Sequence, residues 1–157
     1  MKQYYLDTSV LLVYTLARGK ESERYSVVRE LFTLIENSRL RAVTSFYAMH
    51  EVYLFALENA PDFETGTEYG KSALNLIFNT RIQITPLLSR IERKINERFF
   101  KNLPDLSDLP HVISAKIWGC TGIVAYDEHF RAVSDIIEYE TPEEFLDKSG
   151  YNILFNG

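Results

Sequence analysis

The chain has 157 residues, 46% of them hydrophobic and 25% charged, with a formal net charge of −5. That balance suits a single globular domain able to bury its own core, and it excludes a disordered chain or a uniformly basic nucleic-acid binder. No apolar run approaches the roughly 20 residues of a membrane span, and the lone Cys120 cannot close an internal disulfide, so a reducing, cytoplasmic setting is expected. Val10 to Ala17 could mimic the apolar part of a secretion signal behind Lys2, but Asp7 argues against it.

In chain order, Gln3 to Leu6 reads as a strand, broken by Asp7 before the apolar run resumes at Val10, Leu11 and Leu12. A helix is predicted over about Glu21 to Asn37, where Val27, Val28, Leu31, Leu34 and Ile35 recur at helical spacing. Arg41 to Thr44 is a short second strand, and Ser45 caps a helix that runs to about Asn59 and stops at Pro61. Another helix covers about Phe63 to Phe78, followed by a strand over Arg81 to Thr85 and a helix from Pro86 to near Lys101. After the turn-like NLPDLSD, a helix is expected from about Asp108 to Gly119, then strands over Gly122 to Tyr126 and Ile136 to Tyr139. TPEEFL opens a last helix with a Thr cap, a first-turn proline and acids. Strands alternating with helices predict the α/β class. The expectation is one domain over residues 1–157, with a central, mostly parallel sheet flanked by helices on both faces.

Ligands of open α/β sheets sit beyond the carboxyl ends of the strands, near a switch in strand order. Asp7 follows the first strand and Asp127 follows the strand in GIVAYDEHF, so the two carboxylates converge if those strands are neighbours. Either one alone is also a normal cap. Glu51 has Tyr47, Ala48, Leu54 and Phe55 as helical neighbours, an apolar setting that a carboxylate tolerates only with a partner, a metal or a route to water. Asp108 precedes a helix with Pro110 in its first turn, again a cap position, and Asp105 three residues earlier is an auxiliary or competing acid that spacing does not separate from it. Four acids on separate elements repel one another unless a hard cation such as Mg²⁺ or Mn²⁺ joins them, and the chemistry this suggests is phosphodiester hydrolysis.

The ordered segments YYLDTSVLL, TSFYAMHEVYLFAL, SDLPHVISAKIWGCTGIVAYDEHF and IIEYETPEEFL span nearly the whole chain. With them the chain resembles the PIN-domain ribonucleases, particularly the small prokaryotic kind that includes the VapC toxins of toxin–antitoxin pairs. The resemblance implies that Asp7, Glu51, Asp108 and Asp127 gather round one or two Mg²⁺ or Mn²⁺ ions to cleave single-stranded RNA. It also implies that Thr8 and Ser9 support the first acid by hydrogen bonding, and that Phe130 completes the D-x-x-F turn of the last. A homodimer and an antitoxin partner are further expectations, with apolar surface offered by the aromatic helices between Phe46 and Phe78. One departure is Ala125, where many members carry a hydroxyl residue two positions before the last acid.

Other candidates are weaker. His111 lies one turn after Asp108 and could reach the cleft, though helix-surface histidines are common; His129 reads as solvent-exposed beside Asp127, and His50 as pointing to a different helix face from Glu51. There is no Cys or His pair at zinc spacing and no Gly-rich phosphate loop. Arg90, Arg93, Lys94, Arg98 and Lys101 read as a solvated helix face, or as an RNA-backbone contact if they border the acids. Phe99, Phe100 and Tyr69 could stack on bases, though core or interface roles are commoner for helix aromatics. The leading expectation is a metal-dependent endoribonuclease. Its alternatives are an RNA-binding or scaffolding domain without turnover and, less favoured, a phosphatase with Asp7 as nucleophile.

Overall fold

Short apolar strands form the centre. In the computed structural model, which describes residues 2–150, β1 (Gln3–Leu6), β2 (Arg41–Ser45), β3 (Gln83–Thr85), β4 (Gly122–Val124) and β5 (Glu138–Glu140) make one sheet. Met1 and residues 151–157, the two ends of the expected domain, lie outside the described residues. The strand order is β3-β2-β1-β4-β5 and every pairing is parallel, with Tyr5 opposite both Val43 of β2 and Ile123 of β4. The chain builds outward from β1 to β3 on one side and then returns to place β4 and β5 on the other. The switch in strand order therefore falls between β1 and β4, the place where open sheets of this kind offer a crevice beyond the strand ends.

Side-chain alternation divides the interior into two cores. Tyr4, Leu6, Ala42 and Val124 face one layer, packed by α1 (Thr8–Thr15), α2 (Ser22–Glu36), α3 (Phe46–Asn59), α4 (Phe63–Phe78) and α7 (Pro142–Lys148). Tyr5, Val43, Ile123 and Ala125 face the other, covered by α6 (Leu109–Ile117) and by 3₁₀ turns that bury Phe100, Phe130 and Val133. The short α5 (Arg90–Asn96) buries only Asn96. Helices α3 and α4 pack closely because Gly70 has no side chain: a methyl group there would stand 2.5 Å from the Tyr53 ring.

Strand β3 starts at Gln83 and not at Arg81, the helix expected to reach Lys101 gives way to a 3₁₀ turn at Glu97, and four further departures from the sequence pattern have a visible cause. The unpredicted α1 is the stretch that resembled a secretion signal; Val10, Leu11 and Val13 are buried and Leu12 and Tyr14 pack against the same core, so it lacks the polar face that marks an amphipathic helix. Helix α5 starts at Arg90 and not at Pro86, because Ser89 and Glu92 form a reciprocal capping box (2.7 and 3.2 Å) while Tyr47 Oη holds the Leu88 N–H at 3.0 Å. Strand β4 stops at Val124, since the Tyr126 N–H is taken by the Ser9 hydroxyl and not by a neighbouring strand. Ile136 and Ile137 donate their N–H groups to Val133 and so close a turn, which delays β5 to Glu138.

Candidate active site

Asp7 stands where β1 meets α1, with its N–H bonded to the Val124 carbonyl of β4 at 3.1 Å. It does cap α1, as Oδ2 accepts from the Ser9 N–H (3.0 Å) and the Ser9 hydroxyl (2.7 Å). The same Ser9 oxygen accepts the Tyr126 N–H at 2.9 Å, so one hydroxyl ties the end of β1 to the segment leaving β4. The carboxylate is buried, and its other oxygen, Oδ1, lies 3.9 Å from Nδ1 of His111.

Asp108 ends a 3₁₀ turn directly ahead of α6, yet its side chain makes no capping bond. It is buried and faces other acids: desolvation, then the charges of Asp127, Asp7 and Asp105, push its carboxyl up to about 6. Asp105 is distinguished from it by exposure and by a cap of its own, Oδ1 accepting the Ser107 N–H at 2.8 Å. Asp127 lies three residues beyond β4 and caps the 3₁₀ turn Glu128–Val133, Oδ1 accepting the His129 N–H at 2.9 Å. The expected strand-end position is thus a loop position, but β1 and β4 are neighbours and the crevice is shared.

Glu51, on α3, is held at both oxygens. Oε2 accepts the Thr8 hydroxyl at 3.0 Å, and Oε1 meets Nε2 of His111 at 2.5 Å. Thr8 therefore serves Glu51, whereas the expectation attached it to Asp7; only Ser9 bonds the first acid. Burial alone would raise the Glu51 carboxyl, but the hydrogen bond and charge of His111 and the Thr8 hydroxyl bring it below its usual range.

Two histidines are placed differently from the sequence reading. His111 is 1% exposed and belongs to the site: Nε2 engages Glu51, and Nδ1 engages Tyr5 Oη at 2.7 Å, which in turn meets Ser45 Oγ at 2.6 Å. Burial pulls its pKa down, but the Glu51 bond and the charges of Asp7, Glu51 and Asp108 outweigh that and leave it raised. Its signal was the three-residue offset from Asp108, which puts both on one face of a helical turn. His129 is half exposed at its side chain, as expected, but Nδ1 sits 3.3 Å from both Asp108 Oδ2 and Asp127 Oδ1. Asp105, Asp108 and His129 also bring ligand atoms within 4.8 Å of one another. His50 is exposed on α3, and its charge adds the smallest of the influences that lower the Glu51 carboxyl.

Among the described residues the ion-pair partners of Asp7, Glu51, Asp108 and Asp127 are imidazoles, with no lysine or arginine. An oxygen-rich set of converging acids with one carboxyl forced upward is the donor chemistry a hard divalent cation fits. The five basic candidates Arg90, Arg93, Lys94, Arg98 and Lys101 are exposed on α5 and the turn after it, with Arg98 over the Phe99 ring at 4.9 Å.

No protein-family model matches the chain, and no curated protein matches it. Solved structures do. A Mycobacterium tuberculosis VapC20, described as a sarcin-ricin loop cleaving toxin, shares 14% identity at a TM-score of 0.63, covering 86% of this chain and 97% of that one. VapBC2 from Rickettsia felis, bound to a DNA fragment from its promoter, gives 13% identity and a TM-score of 0.62, with 88% and 98% covered. VapBC-1 from nontypeable Haemophilus influenzae gives 16% and 0.59, with 90% and 98% covered.

The chain has the fold of these VapC structures. Within this VapC-like frame, Ala125 packs into the apolar core under the site, and Ser9 is the hydroxyl that reaches the backbone beside the last acid. Ser9→Ala is expected to lower the melting temperature by about 2–6 °C, because the Tyr126 N–H loses its partner at a cost of about 1–2 kcal/mol. A thermal melt in EDTA checks it, and an unchanged midpoint would show that water replaces the hydroxyl.

Proposed function

We propose that this protein is a metal-dependent endoribonuclease that hydrolyses RNA phosphodiester bonds and acts as the toxin of a toxin–antitoxin pair in the cytoplasm. The observation that carries the reading is the meeting of Asp7, Asp108 and Asp127 at the β1–β4 crevice of a VapC-like fold, with Asp108 raised by its acidic neighbours. Asp7, Asp108 and Asp127 would hold Mg²⁺ or Mn²⁺, Asp7 through the oxygen that Ser9 leaves free. When bound, such an ion grips a phosphate oxygen and lowers the pKa of its water. Glu51 sets the fourth wall, its carboxylate turned inward by Thr8 and His111. Asp105 and His129 stand at the mouth as auxiliary ligands.

RNA would be held by its backbone through the exposed basic residues of Arg90 to Lys101, while exposed Phe99 and Tyr69 are available to bases; Phe100 is buried and is not. The homodimer and the antitoxin complex belong to the same proposal. Phe46, Phe63 and Phe78 are each more than half exposed on α3 and α4, apolar surface of the kind such partners cover. Among the described residues no helix is long and apolar enough to cross a membrane.

The test is cleavage of a mixed structured and single-stranded RNA pool in Mg²⁺, Mn²⁺ or EDTA, beside Asp7→Asn. Cleavage is expected only with metal and is expected to fall at least about 100-fold in the variant, as when an electrostatic contributor to the reaction is lost. Folded, partner-free wild-type protein that retains RNA on a filter but cuts none of the pool would favour the RNA-binding alternative.

A further inference from the structure

Glu51 sits on a helix with 43% of its side chain exposed, so solvent is open to it, yet both carboxylate oxygens turn inward. The group that draws Oε1 inward is fully buried. His111 lies on α6, a helix whose residues are buried from Leu109 to Ala115, and its ring meets Tyr5 edge-on at 5.9 Å between centroids while its nitrogens face Glu51 and Asp7. A buried imidazole needs partners at both nitrogens, and each one here is specific: Glu51 at Nε2 and Tyr5 Oη at Nδ1. Tyr5 is itself 0% exposed, and its hydroxyl continues to Ser45, whose oxygen accepts the Ala48 N–H at 3.4 Å in the first turn of α3. The line of bonds thus leaves α3 at Ser45, crosses β1 and α6, and returns to α3 at Glu51. It closes a loop that locks one rotamer of Glu51 against elements that cannot move independently.

We propose that His111 is a positioning residue for the cleavage reaction, acting through Glu51: its Nε2 fixes the carboxylate at the crevice, and Tyr5 fixes the imidazole. This rests on the nuclease reading above. In either charge state of the ring Nε2–H donates to Glu51; Tyr5 donates to Nδ1 when the ring is neutral, and accepts from Nδ1–H while donating on to Ser45 when it is charged. Asp7 Oδ1, 3.9 Å from Nδ1, is too distant to replace Tyr5 as the partner of that nitrogen. The alternative, a histidine kept for packing, makes no demand on which nitrogen is preserved.

That difference supplies the test. In His111→Gln the amide nitrogen stands near the place of Nε2 and still donates to Glu51; in His111→Asn the amide reaches only the place of Nδ1; Tyr5→Phe removes the hydroxyl while keeping the ring. RNA cleavage is measured as kcat and KM against Mn²⁺ concentration, Mn²⁺ binding by electron paramagnetic resonance without RNA, and folding by thermal melts. His111→Asn is expected to lose about 10- to 100-fold in kcat or in Mn²⁺ affinity, the range for outer partners of a metal site, with His111→Gln restoring most of it and Tyr5→Phe falling between, all at temperatures where each variant is folded. Equal kcat and equal Mn²⁺ curves for folded Asn and Gln variants would overturn the proposal and leave His111 a packing residue. Wild-type protein that neither cuts RNA nor binds Mn²⁺ would instead overturn the nuclease reading, a result separable from the first because it is read without any variant.

Discussion

Asp108→Asn is expected to abolish metal-dependent cleavage and, in EDTA at pH 7.5, to raise the melting temperature. The folded protein lifts the Asp108 carboxyl from its ordinary 3.8 to about 6, first by burial and then by Asp127, Asp7 and Asp105. A group that holds its proton more tightly when folded favours the folded state at low pH, and this contribution is lost as pH rises from about 4 through 6. Above that window the buried charge costs up to roughly 3 kcal/mol, and water at the crevice mouth is expected to halve it. Asparagine keeps the shape without the charge, so the gain is about 3–6 °C at neutral pH and shrinks toward zero near pH 4. Mn²⁺ should raise the wild-type midpoint, since binding stabilises the folded form, and leave the variant unmoved. A variant that melts below wild type at pH 7.5 would mean that Asp108 is a structural acid and that the crevice stores no repulsion.

The fold was legible wherever one local signal fixed an element. Helix α4 runs from Phe63 to Phe78 as expected, and Thr141 and Glu144 form the capping box that TPEEFL announces. It was less legible where a boundary depends on a distant partner. Nothing local to Tyr126 says that Ser9, 117 residues earlier, takes its N–H and ends β4. Nothing near Leu88 says that Tyr47 holds it out of the helix. Helix α1 failed for another reason: a helix buried on most sides carries no periodicity to read.

The same distinction runs through the site. The four acids were singled out by different signals, Asp7 and Asp127 by strand ends, Asp108 by a helix start and Glu51 by its apolar helix face, and the structure brings Asp7, Asp108 and Asp127 near one another at the β1–β4 end of the sheet. Which neighbour serves which acid did not follow. Thr8 and Ser9 are adjacent, yet one reaches Glu51 on α3 and the other Asp7, because successive residues of the first turn of α1 point about 100° apart. His111 looked like a surface histidine because sequence alone does not reveal that α6 has one face on the sheet and the other under the 3₁₀ turns, leaving no exposed side at that level.

Phe130→Ala is expected to cause the largest loss of stability among these variants, and to weaken metal binding without touching a ligand. Phe130 is fully buried between the sheet and the turn Glu128–Val133, with its ring 6.4 Å from that of Tyr139. Truncation costs about 3–5 kcal/mol, a fall in midpoint of roughly 10 °C for a chain of this size. The turn is short, and its other ties lie at its surface and ends: Asp127 accepts the His129 N–H, Arg131 reaches Glu144 at 3.8 Å and lies over the Tyr139 ring at 5.0 Å, and Val133 closes the far end through Ile136 and Ile137. Phe130 is therefore the anchor that fixes where Asp127 and His129 stand relative to Asp108, which sits on a different element. Without the ring, the turn can shift while the sheet survives, and Mn²⁺ affinity measured at 15 °C should fall about 10-fold, as when an outer support of a metal site is removed. Phe130→Leu, which refills much of the volume at a cost of about 1–2 kcal/mol, should recover most of both properties. A midpoint that drops with Mn²⁺ affinity unchanged would show that the Asp127 cap and the Arg131 contacts hold the last acid in place, and that core packing and site geometry are independent at this end of the sheet.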